Sequence, residues 1–387
     1  MFDRGVLSRP DGPGSVHLFQ ALSHLCGYTP VRPSGHVAGL RDAIGEYSHY
    51  VFVLIDGMGA SLDSHLPGNG WFAKADRIDL SSVYPSTTAV ALTSQATGLW
   101  PAEHGVTGWH THLPDRGITV LPLKATERKS GKPLKELGVP FREVVRSDSI
   151  IRNYSRRKRV FMKKSIRGGA FAKWEFPGIT RTGTSSRDQA FDRLRRHIRR
   201  STEPSFSHLY IEELDSMSHR HGSHSRGVDS LIKAIDRELT QLRDNAGEHV
   251  RIIVTADHGH IDVDPECHYL LHEKDPLLDL LVVPPSGESR NPIYHVRPGR
   301  EREFEELFTQ RFGEDFLLCS TDCIEAGELM GPVKLSDITR SRLGTFVGIA
   351  TGAAAIEYIP ADRESKHHKG MHGGLSNEEI RVPLFLL

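Results

Sequence analysis

The chain has few cysteines, no long apolar run and no net charge. Its four cysteines among 387 residues fit reduced thiols. No apolar run approaches the about 20 residues that a membrane-spanning helix needs. The opening residues are rich in Pro and Gly where a signal peptide would have an apolar segment. These absences predict a cytoplasmic protein that has no membrane as a partner.

The balance of charges also restricts the partners. Lys+Arg and Asp+Glu both number 49, so the whole molecule has no electrostatic preference for polyanions. One stretch, residues 142–200, is strongly basic and contains the runs SRRKR and RLRRHIRR. It fits a solvated face or mobile loop, and it also fits an electropositive rim that attracts a polyanionic substrate. Aromatic residues for base stacking are sparse there, so nucleic acid is compatible as a partner but not favoured.

Alternating strand and helix patterns predict an α/β fold. Continuous apolar runs at Val51–Ile55 and Arg251–Thr255 are typical of parallel strands buried on both faces, and Ser207–Ile211 reads as a third strand. Ile78–Tyr84 is a further predicted strand, and Thr88–Thr97 is a predicted helix that Gly98 ends. Other predicted helices cover His17–Leu25, residues 187–200 and Gly227–Asn245. The expected architecture is a mostly parallel sheet with helices on both faces.

Residues 261–365 interrupt this pattern. They contain strand-like runs at Leu277–Val283, Ile293–Val296 and Phe346–Ile349, and one helical segment at Glu301–Phe312. We interpret them as an inserted cap subdomain. The catalytic core would then comprise residues 1–260 and 366–387.

Metal-type side chains follow the apolar runs in a particular order. In an open parallel sheet, ligands bind beyond the carboxyl ends of the strands, so residues far apart in the chain can meet there. Three Asp and three His are enough for two divalent metals, with a hydroxyl left as nucleophile. The residues in question are Asp56, Thr88, Asp215, His219, Asp257, His258 and His372.

Each segment has an alternative interpretation when taken alone. The glycines after Asp56 could open a dinucleotide-binding loop, but the third glycine of that motif is missing. Ser86, Thr87 and Thr88 could cap a helix as well as face a phosphate or a metal. Asp215 and His219 are four residues apart and would share one face of a helical turn. His260 is a spare histidine beside Asp257 and His258.

The ordered set as a whole resembles the alkaline phosphatase superfamily, and within it the nucleotide pyrophosphatase/phosphodiesterase branch. The matching segments are Asp56; Thr88 with the stretch from Thr97 to Gly105; Glu213 with Asp215 and His219; Asp257-His258-Gly259; and His372-Gly373. The resemblance implies that Asp215, His219 and His372 hold one metal ion and that Asp56, Asp257 and His258 hold the other. It also implies that Thr88 is the nucleophile and bridges toward both ions, while His104 is structural.

One position departs from that branch. Its members have an Asn that holds a phosphate oxygen where this chain has Trp109. The phosphate clamp is therefore altered or supplied elsewhere, and residues 142–200 could supply an Arg or Lys to it. The resemblance implies a two-metal hydrolase of phosphodiester or pyrophosphate bonds in nucleotide-type substrates, acting through a phospho-threonine. A phosphomonoesterase or phosphonate hydrolase on the same site is the alternative. Zinc is the expected metal, and Asp/His ligands also accept manganese.

Overall fold

A computed structural model describes residues 2–3, 6–7, 11–29, 34–361, 363–365 and 367–387. Its strands are β1 (Phe2–Asp3), β2 (Val6–Leu7), β3 (His49–Ile55), β4 (Asp76–Ser81), β5 (Thr111–Leu113), β6 (Ile118–Leu121), β7 (Thr126–Glu127), β8 (Arg157–Lys163), β9 (Thr180–Thr184), β10 (Ser205–Ile211), β11 (Val250–Thr255), β12 (Ile261–Asp262), β13 (His268–His272), β14 (Ser286–Glu288), β15 (Asn291–Tyr294), β16 (Phe316–Ser320), β17 (Phe346–Ala350), β18 (Ala355–Ile359), β19 (Gly370–Met371) and β20 (Arg381–Leu386).

The α-helices fall between these strands. They are α1 (Ser15–Leu25), α2 (Gly35–Ile44), α3 (Trp71–Lys74), α4 (Thr88–Thr97), α5 (Pro101–His104), α6 (Phe141–Val144), α7 (Ala170–Glu175), α8 (Arg187–Arg200), α9 (Glu213–His221), α10 (Arg226–Asp244), α11 (Pro276–Asp279), α12 (Glu301–Phe312), α13 (Thr321–Ala326), α14 (Asp337–Leu343) and α15 (Asn377–Ile380). Within the described ranges, no helix combines the length and apolar character needed to cross a membrane.

The central sheet has seven strands in the order β4-β20-β11-β3-β10-β8-β9. The strands from β11 to β9 are parallel, whereas β20 runs antiparallel to both of its neighbours. Every residue of β3 is buried, which requires both faces of the sheet to be covered. The predicted α/β class with a mostly parallel sheet is therefore confirmed.

The register of the sheet places the predicted ligands together. His49 of β3 lies opposite Ser205 of β10 and Val250 of β11, so the three strands start at one level. They also end at one level, because they have similar lengths. Asp56 and Asp257 therefore leave the sheet at the same edge, and α9 begins there after β10.

Several predicted elements agree with the structure, and some do not. The helix predicted over Thr88–Thr97 has those bounds, and Gly98 ends it in the left-handed region with φ 68°. Helix α2 and the strands β8 and β9 were not predicted. The strand predicted at Leu277–Val283 is wrong, because Pro276–Asp279 forms a short helix there. A short run of leucines fits a buried helix as well as a strand, and Pro276 suits a first helical turn.

Residues 261–365 contain a sheet of their own. Its four antiparallel strands are ordered β14-β15-β17-β16, and β13 pairs separately with β18. A hydrophobic cluster around Tyr294, Phe304 and Phe308 packs within this region. The division of the chain into a core and an inserted cap stays a prediction.

Candidate metal centre and active site

Thr88 lies at the amino end of α4, facing two of the predicted ligands. Its Oγ1 is 3.0 Å from His258 Nε2 and 3.4 Å from Asp56 Oδ1. The neighbouring hydroxyls are placed differently. Ser86 Oγ donates to the carbonyl of Gly374, and Thr87 is the N-cap residue of α4 without a side-chain capping bond. Thr88 is therefore the hydroxyl of this trio that contacts the predicted ligands.

Asp56, Asp257 and His258 form one cluster of potential ligands. One side-chain atom from each lies within 4.8 Å of the others, and all three residues are buried. Asp257 Oδ1 accepts the backbone N–H groups of Gly57 and His258, each at 3.0 Å. Its Oδ2 is buried and has no hydrogen-bond partner among the described residues. A buried carboxylate oxygen left in this way is suited to a cation.

The electrostatics of Asp56 also favour a bound cation. Burial, and then the charges of Asp257 and Asp215, raise the pKa of Asp56 well above its ordinary value. Tyr210 Oη donates a short hydrogen bond to Asp56 Oδ2 and fixes its orientation. Three carboxylates this close stay ionised together only when cations compensate their repulsion. The residues therefore fit divalent metal ions.

A second cluster surrounds Asp215. Ligand atoms of Asp215, His258, His260 and His372 lie within 4.8 Å of one another. His219 Nε2 is 3.1 Å from Asp215 Oδ1, and its Nδ1 lies 2.7 Å from the carbonyl oxygen of Gly370. All seven metal-type residues predicted from the sequence therefore gather at one edge of the sheet.

Burial and the charges of neighbouring side chains shift the pKa values of the residues in this cluster. Burial would raise the pKa of Asp215, but His219 and His260 outweigh it and hold that pKa well below its ordinary value. Burial, followed by the charges of His258 and His219, lowers the pKa of His372 well below its usual range. His372 therefore stays neutral at neutral pH, which is the form that ligates a metal.

His260 was only a spare histidine in the sequence, yet it is packed tightly into the cluster. Its Nε2 is 3.1 Å from Asp215 Oδ1, the oxygen that His219 also contacts. Gly57 makes room for it, because a Cβ at Gly57 would lie 2.4 Å from His260 Cε1, and Gly57 has φ +77°. The side chain of His260 therefore orients Asp215.

The histidine of the Thr97–Gly105 stretch is bonded within its own loop. His104 Nε2 is 3.1 Å from Ser94 Oγ, and the N–H of Val106 donates to His104 Nδ1 at 3.1 Å. Burial, then the charge of Arg342, lowers the pKa of His104 to about 3. These bonds hold the loop that leads from α5 to Trp109.

Trp109 lies in a cavity of about 370 Å³ together with Thr88. Its backbone N–H donates to Glu288 Oε1 at 2.6 Å, and Lys124 Nζ lies 5.5 Å from the centre of its ring. Glu288 comes from β14, which the sequence did not connect with the site. The backbones of Gly108 and Gly287 bring the two segments together, since a Cβ at Gly108 would lie 2.7 Å from the Gly287 carbonyl carbon.

The same cavity has several cations, but none from the basic stretch 142–200. Lys124, Arg128 and Arg363 line it instead. Five arginines of the basic stretch line a separate cavity of about 630 Å³; they are Arg157, Arg159, Arg193, Arg196 and Arg200. The hypothesis that residues 142–200 supply a cation to the phosphate pocket is therefore wrong. No sequence motif marked Lys124 or Arg128.

Known proteins share a sequence pattern and a fold with this chain. A family model for type I phosphodiesterase/nucleotide pyrophosphatase matches residues 50–375. A search of curated proteins finds no match. Murine ectonucleotide pyrophosphatase/phosphodiesterase 5 has a similar fold, with TM-score 0.63 and 16% identity over 87% of each chain. The inactive murine protein in complex with AMP gives a TM-score of 0.61 at the same identity and coverage.

A second kind of hydrolase shares the fold. Phosphonoacetate hydrolase from Sinorhizobium meliloti 1021, in complex with phosphonoformate, superposes with TM-score 0.60 and 16% identity. The match covers 87% of this chain and 89% of that one. At such identities the solved structures establish the fold alone. The family model, which matches most of the chain, confirms the resemblance seen in the sequence.

Proposed function

The chain belongs to the type I phosphodiesterase/nucleotide pyrophosphatase family, and from this premise we propose that it hydrolyses phosphodiester or pyrophosphate bonds of nucleotide-type substrates with two divalent metal ions. The observation that carries the proposal is the position of Thr88. Its hydroxyl is within 3.4 Å of both Asp56 and His258, at the start of a ten-residue helix. Helix amino ends favour phosphate, because their N–H groups are free and the dipole is positive there.

We assign the ligands in two sets. Asp215, His219 and His372 would hold one ion, and Asp56, Asp257 and His258 would hold the other, with Thr88 beside both. When bound, the ions would lower the pKa of a hydroxyl or water and stabilise charge on the attacking and leaving oxygens. Zinc is the proposed metal, with manganese compatible. We also propose a cytoplasmic location, which rests on the sequence alone.

The covalent steps use Thr88. Thr88 Oγ1 gives up its proton to solvent and forms a bond to phosphorus. The bond from phosphorus to the leaving oxygen breaks, and that oxygen takes up a proton, which gives a phospho-threonine. Water then attacks phosphorus, the bond to Thr88 Oγ1 breaks, and a proton of the attacking water restores the hydroxyl. Backbone acceptors keep the imidazoles in place, since His258 Nδ1 is 3.0 Å from Gly259 O and His372 Nδ1 is 3.1 Å from Ser86 O.

Trp109 is the proposed substrate-binding residue. Its half-buried ring lines the cavity beside Thr88, where a nucleobase or another flat group could stack. The AMP complex of the inactive murine ectonucleotide pyrophosphatase/phosphodiesterase 5 supports a small nucleotide-like substrate. Nucleic acid stays compatible but not favoured.

A phosphomonoesterase or phosphonate hydrolase is the second candidate. The observation that favours it is Trp109, which stands where the nucleotide pyrophosphatases have a phosphate-binding Asn. The fold shared with phosphonoacetate hydrolase is compatible with this alternative.

The two candidates are separated by two chromogenic substrates. Chelated enzyme is resupplied with zinc or manganese, and hydrolysis of bis-p-nitrophenyl phosphate is compared with that of p-nitrophenyl phosphate. We expect metal-dependent turnover with a strong preference for the diester. Preference for the monoester would favour the second candidate. Failure of both metals to restore hydrolysis of either ester would contradict both.

A further inference from the structure

One wall of the Thr88 cavity is positively charged. Lys124, Arg128 and Arg363 line it, and we call these three residues the cationic wall. Lys124 and Arg128 belong to the β6–β7 hairpin region, and Arg363 follows β18. Arg363 also donates to the backbone carbonyl of Arg128 at 3.1 Å. The wall is therefore built from two distant segments that are bonded to each other.

The three charges act on one half-buried histidine. His110 lines the same cavity, and its pKa is held well below the ordinary value by burial and then by Arg128, Arg363 and Lys124. A neutral His110 adds no positive charge. The three cations therefore lie on the same side of the cavity as His110.

Arg128 is held in place by two neighbouring residues. Its guanidinium stacks 4.8 Å over the ring of Tyr358 and donates to the carbonyl of Pro285. Burial lowers the pKa of Arg128 to about 10, so it stays protonated at neutral pH. Within the described ranges it forms no ion pair with a carboxylate. Five N–H donors on a held guanidinium leave several free for an anion.

Of the three glutamates that line the cavity, Glu364 is exposed to solvent, and the other two are engaged elsewhere. Glu357 lies 3.2 Å from His268 Nε2 and accepts from Ser365 Oγ at 2.7 Å. Glu288 accepts the Trp109 N–H, and burial raises its pKa to about 7. A largely buried cation without a counter-ion is costly, and an anionic ligand would compensate it.

We propose that the cationic wall binds a second oxyanion of the substrate, a carboxylate or a phosphate separate from the phosphorus that Thr88 attacks. This inference rests on the proposed function, because Thr88 and the wall share one cavity. Arginine matches carboxylates and phosphates through paired N–H···O bonds. The preferred substrates are thus phosphoesters, anhydrides or phosphonates that have an additional anionic group.

Three matched diesters test the proposal. They are 4-nitrophenyl phenyl phosphate and its analogues with a carboxylate or a phosphonate at the 3-position of the phenyl ring. The leaving nitrophenol is the same in all three. We expect kcat/KM to be about 10- to 100-fold higher for at least one anionic analogue, as charged hydrogen bonds to substrate would give. Comparing the two analogues shows which oxyanion the wall prefers.

Variants in the β6–β7 hairpin region distinguish binding at the cationic wall from a general effect of positive charge. In Arg128→Met the ratio of kcat/KM values, anionic to uncharged substrate, should fall to near one. Arg128→Lys should keep part of the preference. Lys129→Met removes the same charge one residue later, outside the cavity, and should leave the ratio unchanged. A wild-type ratio near one, or a preference that survives Arg128→Met, would overturn the inference.

A binding measurement keeps this test separate from the proposed function. If none of the diesters were hydrolysed, the proposed function would fail, and calorimetry would still test the wall. Phosphonoacetate should then bind wild-type protein at least about tenfold more tightly than methylphosphonate, because it has an added carboxylate. Equal affinities of the wild-type protein for phosphonoacetate and methylphosphonate would refute the proposed role of the cationic wall. In Arg128→Met we expect the two affinities to be equal.

Discussion

The guanidinium of Arg290 donates two hydrogen bonds to the carboxylate of Glu379, at 2.7 and 2.9 Å, and neither side chain is exposed. Glu379 also accepts the N–H of Gly374 at 2.8 Å, and the carbonyl of Gly374 accepts from Ser86. The pair thus joins the region before β15 to the loop that follows His372 and to the residues before Thr88. It supports the site without contacting it.

Glu379→Gln should destabilise the protein, because it leaves the buried guanidinium of Arg290 without its counter-ion. Breaking such a pair costs about 3–5 kcal/mol, which urea unfolding at pH 7 would measure. Arg290 and the Gly374 N–H lower the pKa of Glu379 below 4.5 despite its burial. A lowered carboxylate pKa contributes stability that is present above the unfolded pKa and lost as pH falls through the folded one. The difference in the free energy of unfolding between wild type and variant should therefore become smaller below about pH 4.5.

The exposed pair of Arg302 and Glu306 is the control for that prediction. Glu306→Gln should change the free energy of unfolding little, since exposed ion pairs contribute little. If Glu379→Gln lowered the free energy of unfolding by the same amount at pH 7 and at pH 3, the Arg290–Glu379 ion pair would not be the source of the lost stability.

Thr88→Ala should remove turnover while metal binding persists. The hydroxyl is the nucleophile in the proposed mechanism, so kcat should fall by on the order of 10³-fold or more. Six carboxylate and imidazole ligands remain, and zinc content by elemental analysis should stay close to that of the wild type. Thr93→Val is a matched control, because Thr93 is buried in the same helix and its Oγ1 donates to the carbonyl of Ala89. Substantial activity in Thr88→Ala would exclude the phospho-threonine.

The clustering of the metal-type residues was predictable because apolar runs in the sequence indicate where the strands end. Asp56 and Asp257 directly follow apolar runs, and parallel strands in register end together. Glu288 and Arg128 could not be predicted in this way. They reach the cavity through the close approach of Gly108 to Gly287 and through stacking on Tyr358. Such contacts depend on how distant segments pack, and no spacing within either segment records them.

The strands β8 and β9 show a second limit. Their sequences, RKRVFMK and TRTGT, are neither continuously apolar nor clearly alternating, although they form one side of the central sheet. The basic residues of this segment lie at the amino end of β8 and along α8, where they line a separate cavity. A charge run in the sequence indicated a surface correctly, but it did not indicate which surface.

His219 and His260 contact the same oxygen of Asp215, and their variants should differ. His219 is the proposed ligand, so His219→Ala should lose one metal ion. His260 orients Asp215 from the side, and His260→Gln should weaken metal binding about 10- to 100-fold without abolishing it. Competition with a chromophoric zinc chelator measures both affinities. His221→Gln is the control, because His221 is exposed on the same helix as His219. Complete loss of one ion in His260→Gln, with near-normal binding in His219→Ala, would reverse the two roles and make His260 the ligand.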